Sequence, residues 1–323
     1  NNVKNNGNSD WGIEFDNIRL DLNKLMSKKL GIVDDLTKGI NFLFNKNKID
    51  RFVGEAKITK ENNVIIFKGG KEEVIQGKNI IIATGSKPSN LNNIQIDEKK
   101  IVSSTGVLEL DKVPKKLVVI GAGVIGLEMG TVWRRLGSEV QIIEFLPRIL
   151  NGMDSEISDK FMKILVNQGI KFKLGCSVER ASVKGDVVTL NLKDQSSLKE
   201  ESLEADVVLV AVGRSPCTDD LGLNEIGVKI DKYGFVEINN KFETSIKNIY
   251  AIGDVIKGPM LAHKAEEDAV ALVEFINNEA GHIDYNLVPN IIYTSPEVAS
   301  IGSTEDDLKE NKSLYNKGIF PFS

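Results

Sequence analysis

The stretch LVVIGAGVIGLEMG at residues 117–130 decides the fold. Its first four residues form a continuous apolar run, which is typical of a strand buried on both faces of a parallel sheet. The glycines of a G-x-G-x-x-G pattern follow at Gly121, Gly123 and Gly126, and a helical pattern then continues until Gly137 ends it. A glycine-rich turn between a strand and a helix is the context that dinucleotide binding requires.

Each glycine of this turn has a physical reason. The first makes the tight turn, the second lets a pyrophosphate approach the backbone, and the third permits close packing of the helix on the strand. Unpaired N–H groups and the dipole at the helix N-terminus then attract the phosphates. The alternative is a glycine-rich turn of purely structural use.

Glu144 follows the next apolar run, at 140–143, and stands 18 residues after Gly126. A carboxylate at this place accepts hydrogen bonds from both ribose hydroxyls and repels a 2′-phosphate, so the sequence predicts NAD rather than NADP. Arg148 is the counter-evidence, because a cation four residues further on is close enough in sequence to reach a 2′-phosphate.

Strand and helix patterns alternate on the carboxyl side of the turn. A helix is predicted from near Asp154 to Gly169, and strands are predicted at 140–143, 170–174, 188–192 and 207–212. Strand–helix–strand–helix–strand with a hairpin predicts a doubly wound α/β unit of about 120 residues.

Other elements are predicted on either side of this unit. Before it come an amphipathic helix over 20–46, a β-meander over 58–75, and a strand at 80–83 that the glycine and proline of 84–88 end. After it come a strand at 248–254 and a helix from about Ala262. That helix is predicted to bury Ala265, Ala269, Leu272, Val273 and Ile276.

Composition excludes several classes of protein. The 323 residues are 41% hydrophobic and carry a net charge of −5, which disfavours disorder and nucleic-acid binding. The longest apolar stretch, 117–127, is far shorter than the roughly 20 residues of a membrane helix. Two cysteines, Cys176 and Cys217, exclude a disulfide-stapled scaffold and favour a reducing compartment.

Weaker candidates each have a structural alternative. Gly213 follows the last strand of the unit, where a nicotinamide would approach, or is a loop glycine. Cys176 and Cys217 are predicted to be ordinary buried or loop cysteines rather than a redox pair. His263 and His282 are general-base candidates, yet histidines without a neighbouring constellation are more often structural.

The two ends of the sequence lead us to expect a truncated protein. The chain starts NNVKNNGNSDWGI, without Met or a targeting pattern, and the apolar run at 318–323 predicts a strand that is cut short.

Several stretches together resemble the dihydrolipoyl dehydrogenase family of flavoprotein disulfide reductases. They are VVIGAGVIGLEMG (118–130), IIATGS (81–86), NIYAIGD (248–254), GPMLAHKAE (258–266) and YTSPEVASIG (293–302). Glutathione and mercuric reductases share the generic motifs, whereas MLAHKAE and YTSPEVA are more specific. The resemblance extends over essentially the whole chain.

The resemblance implies two sets of cofactor contacts. For FAD they are Ala56, Thr84, Gly85, Ser86, Asp254, Met260, Leu261, Ala262 and His263. For NAD they are Gly121, Ala122, Gly123, Val124, Ile125, Gly126, Leu127, Glu128, Glu144, Val178 and Gly213, with Glu128 close to the flavin–nicotinamide stack. Without the resemblance, Asp254 is more readily explained as a turn or helix-capping aspartate.

The departures from the family pattern are as informative as the matches. The FAD-binding G-x-G-x-x-G, the C-x4-C redox disulfide and the C-terminal His/Glu pair of the family have no counterpart in these residues. The fold class is therefore interpreted as α/β, with an incomplete FAD domain (1–112 and 241–285), an NAD domain (113–240) and the start of an interface domain (286–323).

The implied activity is oxidation of protein-bound dihydrolipoamide through a redox disulfide and FAD, with reduction of NAD. The implied partners are the lipoyl domain of an acyltransferase and a second copy of the chain, in a bacterial cytoplasm or the mitochondrial matrix, without nucleic acid or membrane. No catalytic residue and no metal site is predicted. The alternatives are another reductase or NADH oxidase of the superfamily, and a non-catalytic NAD-binding module.

Overall fold

The computed structural model describes residues 19–321, and these divide into two compact units. The first unit holds Asn90–Val212 together with the segments that end at Lys38 and start at Ile291. The second unit holds Gly39–Ser89 and Gly213–Asn290. The sequence features noted at 1–18 lie outside the described residues.

The helices of the described residues are α1 (Leu22–Lys46), α2 (Ser104–Val107), α3 (Val124–Leu136), α4 (Ser155–Asn167), α5 (Leu223–Ile226), α6 (Ala262–Ile276) and α7 (Glu305–Glu310). Short 3-10 turns lie at Lys60–Asn62, Gly253–Val255 and Tyr285–Leu287. None of the helices between residues 19 and 321 is long and apolar enough to cross a bilayer.

The strands of the same residues are β1 (Glu55–Thr59), β2 (Asn63–Lys68), β3 (Lys71–Gln76), β4 (Ile80–Ile82), β5 (Ser86–Pro88), β6 (Ile101–Val102), β7 (Lys116–Ile120), β8 (Glu139–Ile143), β9 (Lys171–Lys173), β10 (Cys176–Lys184), β11 (Val187–Asp194), β12 (Glu200–Ala205), β13 (Val207–Val210), β14 (Arg214–Pro216), β15 (Ile249–Ala251), β16 (Asn290–Ile292) and β17 (Val298–Ser300).

The first unit is built on a five-stranded parallel sheet in the order β6-β13-β7-β8-β9. The strand predicted from the apolar run is confirmed, since Leu117, Val118 and Val119 are fully buried. The helix after it is confirmed as α3, which ends at Gly137 in the left-handed conformation (φ 118°). This helix C-terminus needs a residue without a Cβ, because a left-handed backbone strains other residues.

Both faces of the parallel sheet are covered, which explains why its strands are apolar throughout. On one face, Trp133 of α3 and Phe161 of α4 pack against Leu117, Val119 and Ile142. On the other face, the antiparallel sheet β10-β11-β12 supplies Val188, Leu190 and Leu192, which pack against Val118, Ile120 and Val208. Each fully buried aliphatic side chain stabilises the fold by about 1.5–3 kcal/mol. The predicted α/β class is confirmed.

The second unit contains three small sheets. The predicted β-meander is confirmed as the antiparallel sheet β1-β2-β3, with the turn at Gly69 and Gly70, both at positive φ. β4 pairs in parallel with β15, and β5 pairs antiparallel with β14. A core that includes Ile82, Ala251, Val255 and Leu272 holds the β4–β15 pair against α6. The ends of β4 and β15 therefore lie side by side next to this helix.

Two local predictions are wrong. Residues 318–321 are not assigned to a strand, and Pro321 has no N–H to donate to one; residues 322–323 lie outside the described part. Val273 is 49% exposed, because the buried face of α6 runs through Lys264, Asp268 and Leu272 instead. The predicted end of the strand at 80–83 is confirmed, because β4 ends at Ile82 and residues 86–88 form the separate strand β5.

Candidate functional site

The glycine-rich turn of the first unit has the geometry predicted from its sequence. Gly121 has a φ of +108°, and a Cβ there would collide with the carbonyl oxygen of Ala211. A Cβ on Gly126 would collide with the carbonyl oxygen of Gly121. Gly123 differs from both, because a Cβ on it would meet nothing within 4 Å. The first and third glycines are therefore required by the fold, and the second leaves an open approach to the backbone.

The start of α3 is available to an anion. Gly123 is the N-cap residue, and no side chain caps this end of the helix. The N–H groups of the first helical turn have no partner within the helix, and they point out of its N-terminus. Together with the helix dipole they favour a phosphate at this position.

Glu144 lies directly beside the turn. Its Oε2 accepts the N–H of Ala122 at 2.6 Å, and its Oε1 accepts the N–H of Leu146 at 2.8 Å. The side chain stands at the end of β8, next to the end of β7, because the two strands run parallel. The carboxylate is thus fixed at the edge of the sheet where the turn begins.

Arg148, the counter-evidence for NAD, has a partner elsewhere. One guanidinium nitrogen lies 3.4 Å from Oδ2 of Asp306, and the same carboxylate accepts the backbone N–H and the hydroxyl of Ser155. The charge of Arg148 is thus partly neutralised by Asp306, which weakens it as a ligand for a 2′-phosphate.

Two further residues predicted for NAD lie in the first unit. Val178 of β10 packs against the cluster that contains Ile120 and Ile143, the last residues of β7 and β8. Glu128 is half-buried in α3, and its Oε1 accepts the N–H of Tyr293 at 2.8 Å. The structure therefore brings the turn, Glu144 and Val178 to the carboxyl ends of neighbouring parallel strands, which is where nucleotides bind in such sheets.

In the second unit, a hydrogen-bonded loop joins β4 to β14. The hydroxyl of Thr84 donates to the carbonyl oxygen of Cys217 at 2.6 Å, and the N–H of Cys217 donates to the carbonyl oxygen of Gly85 at 2.9 Å. The carbonyl oxygen of Gly213, at positive φ, accepts the N–H of Ser89. Three residues predicted from the sequence, Thr84, Gly85 and Gly213, are thereby held at one end of the small sheets.

Asp254 is tied to this loop through Ser86. The Ser86 hydroxyl donates to Oδ2 of Asp254 at 2.5 Å. Arg214 contacts the same serine twice, through Nε to the hydroxyl and through Nη2 to the carbonyl oxygen, both at 2.6 Å. Since an ionised donor and acceptor stand at the two ends, this Arg–Ser–Asp chain is stronger than a neutral one.

A cavity of about 440 Å³ lies beside these residues in the second unit. Among its lining residues are Gly85, Asp254, Met260 and Ala262, all four of which the resemblance implied for FAD. Ala265 and Ala269 of α6 form part of its wall. These small side chains leave room for a flat group to lie along the helix.

The remaining predicted FAD residues do not line this cavity. Ala56 lies in β1 opposite Ile66, and Leu261 is the N-cap residue of α6. The His263 ring bonds through Nε2 to the carbonyl oxygen of Pro289 at 2.8 Å, which gives that side chain a structural partner.

The two cysteines are free thiols. Cys176 is buried, and burial raises the pKa of its thiol, so the reactive thiolate is disfavoured. Cys217 is half-buried and belongs to the second unit.

Sequence reasoning missed three polar residues of the second unit. Arg214 holds Ser86, and Lys264 and Asp268 form a fully buried ion pair. The available signal for the pair was its i, i+4 spacing, with Lys264 inside the MLAHKAE stretch and Asp268 two residues after it, among alanines that mark a closely packed face.

The parallel sheet, the glycine-rich turn and the adjacent carboxylate define a dinucleotide-binding α/β protein. The model of the pyridine nucleotide-disulphide oxidoreductase family matches residues 8–269, and the chain belongs to this family. The chain is therefore related to oxidoreductases, and the family together with its flavoprotein neighbours implies the use of NAD(H) and FAD.

Individual relatives agree with this assignment. Mitochondrial dihydrolipoyl dehydrogenase from Pisum sativum is 49% identical over 96% of this chain, and the mitochondrial enzyme from Bos taurus is 50% identical over 97%. The solved structure of the HOCl-induced flavoprotein disulfide reductase RclA from Escherichia coli superimposes with a TM-score of 0.80 at 26% identity, over 90% of this chain and 66% of that one. The family resemblance predicted from the sequence is confirmed.

The present chain spans 62% of the length of each of these two curated relatives.

Proposed function

We propose that this chain provides the NAD-binding and flavin-contacting parts of a dihydrolipoyl dehydrogenase, which oxidises dihydrolipoamide and reduces NAD to NADH. The observation that carries the proposal is the hydrogen bond between Glu144 and Ala122 in a chain about half identical to such enzymes. It supports an NAD site because a carboxylate beside the glycine-rich turn is the feature that selects a ribose with a free 2′-hydroxyl.

In this proposal the residues of the first unit bind and orient NAD. The backbone from Gly121 to Glu128 and the N-terminus of α3 hold the pyrophosphate, while Val178 contacts the nucleotide from β10. The two oxygens of Glu144 exchange their bonds to Ala122 and Leu146 for bonds to the ribose hydroxyls. Gly213 is also proposed as an NAD contact, as the resemblance implies.

The residues of the second unit are proposed to hold FAD, which when bound transfers two electrons between a dithiol and NAD. Asp254 accepts a hydrogen bond from the ribityl chain, while Thr84, Gly85 and Ser86 support the cofactor from β4. Ala56 contacts the adenine through its backbone. The segment 260–263, Met260, Leu261, Ala262 and His263, passes the isoalloxazine ring with its backbone.

None of these 323 residues is proposed for the dithiol step. That step needs two neighbouring cysteines and an acid–base group, whereas Cys176 and Cys217 belong to different units and are free thiols. The proposed partner is the lipoyl domain of the acyltransferase of a 2-oxo acid dehydrogenase complex, with a second copy of the chain. The relatives' names support the mitochondrial matrix as a location, and a bacterial cytoplasm is the alternative.

The test compares substrates on the protein in its whole form. We expect NAD-dependent oxidation of dihydrolipoamide and no NADPH-dependent reduction of glutathione. Reduction of glutathione would favour another reductase of the family, and oxidase activity with NADH would favour an NADH oxidase. Nucleotide binding without any turnover would favour a non-catalytic module. The similarity to dihydrolipoyl dehydrogenases does not favour any of these three alternatives.

A further inference from the structure

Helix α6 contains an ion pair that is completely buried. Nζ of Lys264 lies 2.8 Å from Oδ2 of Asp268, one helical turn away, and both side chains are 0% exposed. Removing two charges from water is costly, and a buried pair does not by itself stabilise a fold better than apolar residues of similar volume. The pair therefore needs an explanation other than stability.

Both charged groups bond to the same residue of the backbone. Oδ2 of Asp268 accepts the N–H of Gly253 at 2.9 Å, and Nζ of Lys264 donates to the carbonyl oxygen of Gly253 at 3.0 Å. Gly253 has a φ of +73°, so the chain turns there in a conformation that other residues rarely adopt. The N–H and the carbonyl oxygen of Gly253 are thus both held by side chains of α6.

Tyr285 completes the arrangement. Its hydroxyl donates to Oδ1 of Asp268 at 2.8 Å, and its ring centroid lies 5.2 Å from Nζ of Lys264. Burial, followed by the bond to Asp268, raises the pKa of the Tyr285 hydroxyl, which keeps it a donor. Both oxygens of Asp268 are therefore used, and the lysine has an aromatic face beside it.

The residue that this arrangement controls is Asp254. It follows Gly253 directly, lines the cavity of the second unit and accepts the hydroxyl of Ser86. The same helix contributes Ala265 and Ala269 to the cavity wall. α6 therefore lines the cavity with one set of side chains and holds the backbone at its edge with another.

We propose that Lys264, Asp268 and Tyr285 are positioning residues that fix the turn at Gly253, so that Asp254 faces the flavin in the orientation that binds it. The proposal rests on the flavin site given under the proposed function. An apolar pair of similar volume would fill the space, yet it would remove the partner of the Gly253 N–H and leave the Gly253 carbonyl with only the 3.3 Å bond from the N–H of Ile256. Orientation of Asp254, rather than folding, explains why charges are kept here.

The decisive variant removes both charges together, as Lys264→Met with Asp268→Leu, because each single change would leave a buried charge unpaired. We expect this protein to stay folded and to bind NADH normally, while its affinity for FAD falls about tenfold or more, the loss expected for a misplaced charged hydrogen bond. In the flavin-free protein, amide hydrogen exchange at Gly253 and Asp254 should be faster. Tyr285→Phe should give a smaller loss in the same direction.

A matched control is the exposed i, i+4 pair of Asp34 and Lys38 on α1. The same exchange, Asp34→Leu with Lys38→Met, should leave FAD affinity and the exchange at Gly253 unchanged. Unaltered FAD affinity and unaltered exchange in the Lys264/Asp268 variant would overturn the proposal. If that variant does not fold, Tyr285→Phe becomes the test. An FAD affinity of Tyr285→Phe equal to that of the unaltered protein would then overturn the proposal. These measurements use the protein in its whole form, and failure of that protein, unaltered, to bind FAD would reject the flavin site itself.

Discussion

The backbone N–H of Ala122 donates to Oε2 of Glu144 across 2.6 Å, and this bond joins the glycine-rich turn to the end of the neighbouring strand. The N–H groups of Ala122 and Leu146 thus fix the orientation of the Glu144 carboxylate. In the proposed NAD site, ribose hydroxyls would replace these donors, so Glu144 would need little reorientation.

Glu144→Ala should reduce the preference for NADH over NADPH. The unaltered protein is expected to bind NADH at least about tenfold more tightly, because the carboxylate repels the 2′-phosphate. Fluorescence titration with both nucleotides measures the ratio. Glu139→Ala, an exposed change in the same strand, is the control and should preserve it. Equal affinity of the unaltered protein for the two nucleotides would contradict the role given to Glu144.

Two glycine variants should separate folding from binding. Gly126→Ala should lower the free energy of unfolding by about 1–3 kcal/mol, because its Cβ would press on the backbone of Gly121. In Gly123→Ala, the added Cβ meets nothing within 4 Å and the backbone at this position is extended. The free energy of unfolding should therefore be unchanged, whereas the affinity for NADH should fall. Urea unfolding and NADH titration of both variants test this. Normal NADH affinity in Gly123→Ala would argue against a pyrophosphate at the turn.

Acid should release the segment that carries Lys317. Hydrogen bonds from Lys160 and Lys317 lower the pKa of Glu156 to about 2, and those from Lys317, Tyr315 and Lys309 lower the pKa of Glu305 to about 2. Since both folded values lie below the ordinary 4.5, the stabilisation is present above pH 4.5 and is lost as the pH falls towards 2.

Amide exchange of residues 312–321 as a function of pH measures this release. Glu305→Gln should make exchange in the segment faster at neutral pH and reduce its dependence on acid, whereas Glu310→Gln on the same helix should not. The effect is expected to be small in high salt, because these groups are exposed and screened. A segment whose exchange does not respond to acid would rule out anchoring by the two glutamates.

A protein made of these 323 residues should not oxidise dihydrolipoamide with NAD. Electrons from a dithiol need a cysteine pair, and Cys176 is buried with a raised thiol pKa while Cys217 is a separate free thiol. A stopped-flow or steady-state assay of NADH formation tests this, with a whole bovine enzyme as positive control. Turnover by a preparation whose mass matches this sequence would refute the argument.

The sequence predicted the parts of the fold that periodicity and glycine chemistry determine. The apolar run before Gly121 is typical of a strand covered on both faces, and Gly137 ends a helix because it adopts a left-handed conformation. The position of Glu144 also followed from spacing. These features are local, so the information for them lies within a few residues.

Features that depend on distant partners were not predictable in the same way. Lys264 and Asp268 look like a solvent-facing pair, and only the approach of Gly253 and Tyr285 explains their burial. For the same reason, the sequence pattern placed Val273 on the buried face of α6, although its side chain is 49% exposed. Residues 318–321 have an apolar pattern typical of a strand, but a strand needs a neighbour that sequence alone does not identify.

Helix α1 should be less stable than helix α3. No residue of α1 is buried, and Leu36 and Phe42 are 67% and 64% exposed, whereas α3 buries Leu127 and Trp133 almost completely. The partly buried Leu22 and Met26 contact the core of the first unit, but helical hydrogen bonds with so little tertiary packing are marginal in water. Amides of α1 should therefore exchange much faster than those of α3 in a protein of these 323 residues, and the described region 19–112 should be less stable than 113–240.

The proposed flavin contacts are mostly neutral or backbone groups, so the FAD affinity of the same protein should be weak. Hydrogen exchange read by mass spectrometry, together with the absorption of bound flavin, measures both. Equal protection of α1 and α3, or purification with a full equivalent of yellow flavin, would show that this part of the argument is wrong.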